Sequence, residues 1–161
     1  MKSWTEAQEL YSIANLAFHE AAHIAVSRHY GSECCLHMNY RPDNGTYSAF
    51  VKVDRVNPRL EPFQMAVIAW AGIIAEWKLE SGKAWQRTLP ALFKECKSGR
   101  AVPSSQGDSS IICLHKKPRR TFNASAQLVD KLWPRIRAEA HVIIMTTMCR
   151  QQIGLHHLAS L

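Results

Sequence analysis

The sequence lacks any hydrophobic run long enough to cross a bilayer. Its longest uncharged apolar stretch, residues 65–75, has 11 residues, whereas a membrane-spanning helix needs about 20. The N-terminal residues become polar and acidic at once, so they do not form the basic and apolar segments of a secretory signal. We therefore expect no transmembrane segment and a cytoplasmic location.

Cysteines at metal-binding or disulfide spacing are missing as well. The five cysteines are odd in number and none form a Cys-x-x-Cys pair, so neither a disulfide framework nor a cysteine zinc ribbon is indicated. No Gly-x-x-x-x-Gly-Lys-Ser/Thr sequence occurs, which excludes a phosphate-binding loop of that type. With 47% hydrophobic residues, 20% charged residues and 161 residues in all, the chain is expected to fold as one globular domain, residues 1–161.

The basic charge is concentrated in one segment. The net charge is +7, and from Lys83 to Arg120 nine basic residues face only Glu95 and Asp108. This segment therefore carries a net charge of +7, which equals the net charge of the whole chain. It is either a solvated basic loop or a surface that attracts nucleic acid or an acidic partner.

Local patterns predict a mostly helical chain with one β-hairpin. A capping box at Ser3 opens a first helix that runs to about Tyr30, where Gly31 ends it. Two strands follow, at residues 34–40 and 46–56, with a turn at residues 42–45. A second helix lies between Pro62 and Gly82; it is apolar on all sides and is therefore expected to be central.

The second half of the chain is predicted to add further helices. We expect a helix at residues 88–97, a loop at 98–107 and a short helix from Asp108 to His115. Asn123 is expected to cap a final helix that reaches about residue 150, with Pro134 kinking it or opening its second half. A turn over residues 151–161 completes a mainly α (α+β) fold with one small hairpin.

The segment His19-Glu20-Ala21-Ala22-His23 is a His-Glu-x-x-His motif inside the first predicted helix. Residues four apart lie about 40° apart around a helix, so His19 and His23 can share one zinc ion. Glu20 is placed to act as a general base on a water at the open metal position. The structural alternative is a buried, hydrogen-bonded histidine pair.

A hydrolytic zinc site typically holds three protein ligands, so one ligand beyond the two histidines is needed. We favour Asp108, which follows a glycine in an otherwise basic stretch. Glu76, on the second predicted helix, suits either the third ligand or an acceptor that orients a ligand histidine.

Three segments together resemble the FtsH-type zinc metallopeptidases, the protease half of the membrane-bound AAA proteases. Residues 16–26 look like the zinc helix of that family, residues 68–76 like its buried helix, and Gly107-Asp108 stands where the family has its aspartate ligand. The chain departs from the pattern at Ala22, where the family has glycine, and at Ile73, where it usually has arginine.

The resemblance implies a zincin-like helical peptidase domain that holds one Zn²⁺ per chain on His19, His23 and Asp108. Because the phosphate-binding loop is missing, we expect the peptidase domain to stand without an ATPase. Glu20 would be the catalytic base, Glu76 would support a ligand, and flexible or unfolded protein segments would be the substrate. The alternative is a catalytically silent, zinc-stabilised module that binds nucleic acid or an acidic protein through residues 83–120. A zinc amidohydrolase acting on a small molecule is a third hypothesis, and homo-oligomer formation is left open.

Overall fold

The computed structural model describes residues 4–41, 46–56, 60–99, 108, 110–112 and 116–158. Five α-helices with defined bounds, a short helical segment at Asp108 and residues 110–112, and two strands lie in these ranges, and a mainly α fold is confirmed. The elements, in chain order, are α1 (Trp4–His29), β1 (Ser32–Arg41), β2 (Thr46–Val56), α2 (Pro62–Ser81), a 3-10 turn (Gly82–Ala84), α3 (Trp85–Lys97), α4 (Pro118–Lys131) and α5 (Trp133–Leu158).

Helices α1 and α2 form the centre of the molecule. α1 packs against α2, α5 and the sheet, while α2 also packs against α3 and α4. The apolar run of α2 is buried on nearly every side, as its composition predicts. α1 ends before Gly31, whose φ of 78° is the left-handed conformation that favours glycine.

The two strands pair antiparallel, with Leu36 opposite Val51. A bulge between Glu33 and Cys34 shifts the register. Beyond the bulge, Cys34 and Leu36 pack against the core together with Val51, whereas His37 is exposed. The sheet therefore covers one flank of α1. The predicted turn at residues 42–45 lies outside the described residues, as does the Ser3 capping position.

Several predicted boundaries are wrong. α3 begins at Trp85 rather than Thr88, because the 3-10 turn leads directly into it and Thr88 instead donates its hydroxyl to the Trp85 carbonyl. α4 begins at Pro118, which can open a helix because the first turn needs no N–H from it. Asn123 is consequently an exposed residue inside α4, not its cap.

The C-terminal half contains two helices, α4 and α5, and Pro134 opens the second of them, one of the two predicted alternatives. The predicted C-terminal turn is wrong, because α5 continues to Leu158. Asp108 and residues 110–112 are helical, in agreement with a short helix there. Residues 100–107 and 113–115 lie outside the described residues.

Candidate metal centre

The two motif histidines lie on the face of α1 that packs against α2. Their partners on α2 are Ile68, Gly72 and Glu76, which are spaced by four residues and so share one side of that helix. His19 meets Glu76 near the end of α2, and His23 meets Ile68 near its start. The helices therefore run antiparallel at the site.

Contacts with α2 fix the orientation of both imidazole rings. Nδ1 of His23 lies 2.9 Å from the Ile68 carbonyl oxygen, and since a carbonyl can only accept, Nδ1 carries the proton. Nδ1 of His19 is hydrogen-bonded to the Glu76 carboxylate. In the neutral rings the lone pairs consequently sit on the Nε2 atoms, which are 3.0 Å apart.

Asp108 completes a triangle of ligand atoms. Its Oδ2 lies 3.2 Å from Nε2 of His23 and 3.4 Å from Nε2 of His19. With the bond lengths of about 2.0–2.1 Å usual for zinc, tetrahedral ligand atoms are about 3.3 Å apart. The observed separations of 3.0–3.4 Å match that spacing, so these three residues could hold a metal ion.

Gly72 makes room for the first histidine. A Cβ atom at this position would lie 2.5 Å from both Cε1 and Nε2 of His19 and 2.7 Å from its Cδ2. Such separations are well inside van der Waals contact. Only glycine therefore allows α2 to approach the ring as closely as it does.

Glu20 is buried close enough to both histidines for their charges to act on it. It is 4% exposed, and its Oε2 atom has no hydrogen-bond partner among the described residues. Burial raises the pKa of its carboxyl group, the neighbouring His23 and His19 lower it in part, and Asp108 raises it further. A buried carboxylate oxygen without a partner is costly, and a water or substrate proton at the site would satisfy it.

Opposing influences set the charge of His19. Burial alone lowers its pKa, but hydrogen bonds to Asp108 and Glu76 outweigh burial and raise the pKa to about 10. The metal-free chain therefore favours a doubly protonated imidazolium held between two carboxylates. A metal ion must displace the Nε2 proton, since a ligand histidine binds through an unprotonated nitrogen.

The structure brings together all five residues that the sequence singled out. The Asp108 oxygen lies beside the Nε2 atoms, whereas Glu76 lies on the Nδ1 side of His19, where it can orient the ring. Sequence reasoning did not identify Gly72 or the Ile68 carbonyl. The sequence did contain a signal for both: Ile68 and Gly72 precede Glu76 by eight and four residues, so all three lie on one side of a helix.

The basic segment is separate from this cluster. The basic residues of residues 83–120 that the structure describes are all exposed. Arg100 lies outside the described residues. Cys35 and His37, on β1, form a second pair, with Sγ 3.3 Å from Nε2, but they belong to no group of three potential ligands in the described part of the chain.

No protein-family model matches the chain, and no curated protein matches it significantly. Within the described ranges, none of the helices combines the length and apolar character needed to span a bilayer. The resemblance to FtsH-type peptidases thus stays a prediction.

Proposed function

We propose that this protein is a zinc-dependent metalloendopeptidase with a zincin-like fold. The observation that carries the proposal is the triangle of ligand atoms from His19, His23 and Asp108, with separations of 3.0–3.4 Å. Two imidazoles, one carboxylate and a fourth position free for water make up the ligand set of hydrolytic zinc sites. One zinc ion per chain is expected.

The ligand chemistry supports zinc over harder cations. Calcium and magnesium prefer sites built from oxygen atoms, whereas imidazole nitrogen suits zinc and its transition-metal neighbours. The hydrogen bonds to Nδ1 support ligation further. Ile68 and Glu76 accept from the outer nitrogens and so hold both rings with Nε2 facing the same point.

Glu20 is proposed as the proton carrier of peptide hydrolysis. When bound, the metal supplies Lewis-acid polarisation of the scissile carbonyl and lowers the pKa of water. The Glu20 carboxylate takes a proton from the attacking water while the water oxygen forms a bond to the scissile carbonyl carbon. It then passes that proton to the leaving nitrogen as the C–N bond breaks. A carboxyl pKa raised by burial suits a group that both accepts and returns a proton.

An extended segment of substrate is proposed to add to the edge of β2. Among the described residues the sheet has two strands, and it packs on α1, the helix that carries the motif. An added strand would bind mainly through backbone hydrogen bonds and would need little side-chain recognition. Flexible or unfolded segments fit such a surface, and the step itself uses no ATP.

The test combines metal content with peptide cleavage. Purified, tag-free wild type is expected to hold one zinc per chain by metal mass spectrometry, and Asp108→Ala is expected to lose it. Asp130→Ala, which removes an exposed aspartate that pairs with Lys78, is the matched control and should retain zinc.

Peptide cleavage then separates catalysis from metal binding. Glu20→Gln should retain zinc and lose hydrolysis of unstructured polypeptides such as casein, while Glu95→Gln, on α3, should behave as wild type. Unchanged cleavage in Glu20→Gln would contradict the assigned role. Zinc without any hydrolysis in the wild type would favour a metal-stabilised binding module instead.

A further inference from the structure

A groove of about 290 Å³ lies between α3 and α4. Its apolar floor includes Leu89, Phe93 and Phe122. The floor is closely packed: the Phe93 and Phe122 ring centroids are 5.1 Å apart, and both rings contact Trp70 of α2. The volume is close to the lower limit of ligand pockets and suits one or two side chains.

Cations surround this floor. Lys94, Lys97 and Arg119 line the groove, all three are exposed, and none makes an ion pair with another described residue. No acidic side chain is among the described residues that line it. The groove therefore offers an apolar contact flanked by unneutralised positive charge on both helices.

The groove lies on the side of α2 away from the candidate metal centre. Trp70 precedes Gly72 by two residues, which is about 200° of helical rotation. Gly72 contacts His19, whereas Trp70 donates to the Thr121 hydroxyl at 3.2 Å and packs on the groove floor. A ligand in the groove would consequently bind independently of the metal.

We infer that this groove binds an acidic peptide segment of a partner protein that presents one apolar side chain. The apolar side chain would occupy the space over Leu89 and Phe93, and flanking carboxylates would pair with Lys94, Lys97 and Arg119. Charge complementarity and the apolar floor both favour this occupant. Nucleic acid is disfavoured because single-strand binding stacks successive bases on several open rings. Phe122 is only 2% exposed, which leaves the half-buried Phe93 as the one aromatic ring among the described lining residues on which a base could stack.

Calorimetric titration of the full chain with a short synthetic peptide tests the inference. The peptide contains glutamate and serine around a single central leucine. The double variant Lys94→Ala/Lys97→Ala should weaken its binding by about tenfold, the sum expected for two exposed ion pairs. The control Lys83→Ala/Lys131→Ala removes the same charge from exposed positions outside the groove and should change the Kd by less than about twofold.

Changing the probe tests the apolar floor. A peptide with serine in place of the leucine should bind about tenfold more weakly, because it buries no apolar side chain. Equal losses in the two double variants would overturn the inference in favour of non-specific charge attraction. No binding of the leucine peptide would overturn it too, as would tighter binding of a single-stranded oligonucleotide of equal charge, which would identify a nucleic-acid surface. The leucine peptide should bind Glu20→Gln and Asp108→Ala as it binds the wild type. The outcome of this test is therefore independent of whether the proposed peptidase activity is found.

Discussion

Replacing Gly72 with alanine tests the placement of His19, because two effects of opposite sign compete at this position. In the middle of a helix, alanine is favoured over glycine by about 1 kcal/mol. If nothing lay against Gly72, the variant would therefore be more stable than the wild type. A Cβ atom 2.5 Å from two atoms of the His19 ring reverses this expectation.

The size of the clash can be worked out from the structure. The ring would have to move by about 0.9 Å to reach an ordinary contact of 3.4 Å. Overpacking of this kind typically costs about 1–3 kcal/mol, which outweighs the helix preference. A movement of this size also exceeds the roughly 0.2 Å tolerance of metal–ligand distances. We expect zinc affinity to fall by about 10–100-fold, as for other changes that disturb the support of a ligand histidine.

Two assays and one control decide the matter. Zinc affinity is measured by competition with a chromophoric chelator, and stability by thermal unfolding of the chelator-treated protein. Gly82→Ala is the control, because Gly82 has a φ of +52° but nothing within 4 Å of its added Cβ. This control should lose stability through backbone strain and bind zinc normally. A Gly72→Ala protein that is more stable than wild type and binds zinc equally well would refute the packing of His19 against α2.

Three further predictions concern support of the site, the core and a buried thiol. Glu76→Gln should still take up one zinc but with an affinity reduced about tenfold or more in the chelator assay, because Glu76 orients His19; complete loss of zinc would instead make Glu76 a ligand. Thr121→Val should lower the free energy of unfolding by about 1–3 kcal/mol in urea titrations, since it leaves the buried Trp70 Nε1 without its acceptor, and an unchanged midpoint would argue against that hydrogen bond. Burial raises the pKa of Cys96 from 9.0 to about 11, so its alkylation by iodoacetamide at pH 8 should be about a hundredfold slower than for an unfolded chain, where thiolate is more abundant. Its rate should rise with pH up to about 11; a plateau near pH 9 in the folded protein would show that the thiol is not shielded.

Much of the central architecture could be predicted because its signals are local. Two of these signals act within one turn of helix: the glycine beyond the end of α1 and the proline at the start of α2. The third signal is the apolar composition of α2, which predicts that this helix is buried. The spacing of His19 and His23 likewise depends only on helix geometry. For the same reason, the pairing of two potential ligands on one face needed no knowledge of tertiary structure.

The errors in the second half have a physical cause as well. The basic run around Pro118 looked like a loop because its side chains are charged and proline disfavours helix interiors. Proline is nevertheless well suited to the first helical turn, so α4 begins there. The C-terminal helix was predicted to end at about residue 150, yet α5 continues through Gly154 to Leu158. An interior glycine lowers helix stability only modestly.

The roles of Asp108 and Glu76 could not be separated by spacing alone. Asp108 lies 85 residues beyond His23, and no local rule determines which nitrogen of a distant ring a carboxylate will face. That choice depends on the antiparallel packing of α1 on α2, which brings Glu76 to Nδ1 of His19 and leaves Nε2 to Asp108. A candidate ligand in the short helical segment at Asp108 and a supporting carboxylate on the buried helix α2 thus differ only in tertiary position.

The two faces of α2 divide the molecule into two regions that can be tested separately. Ile68, Gly72 and Glu76 support the histidines on one face, while Trp70 supports the groove between α3 and α4 on the other. A substitution that disturbs Gly72 should therefore reduce zinc affinity without changing peptide binding in the groove. Removal of Lys94 and Lys97 should do the reverse. Because the two regions use opposite faces of α2 and share no side chain, loss of both properties from either change would indicate global unfolding rather than damage to one site.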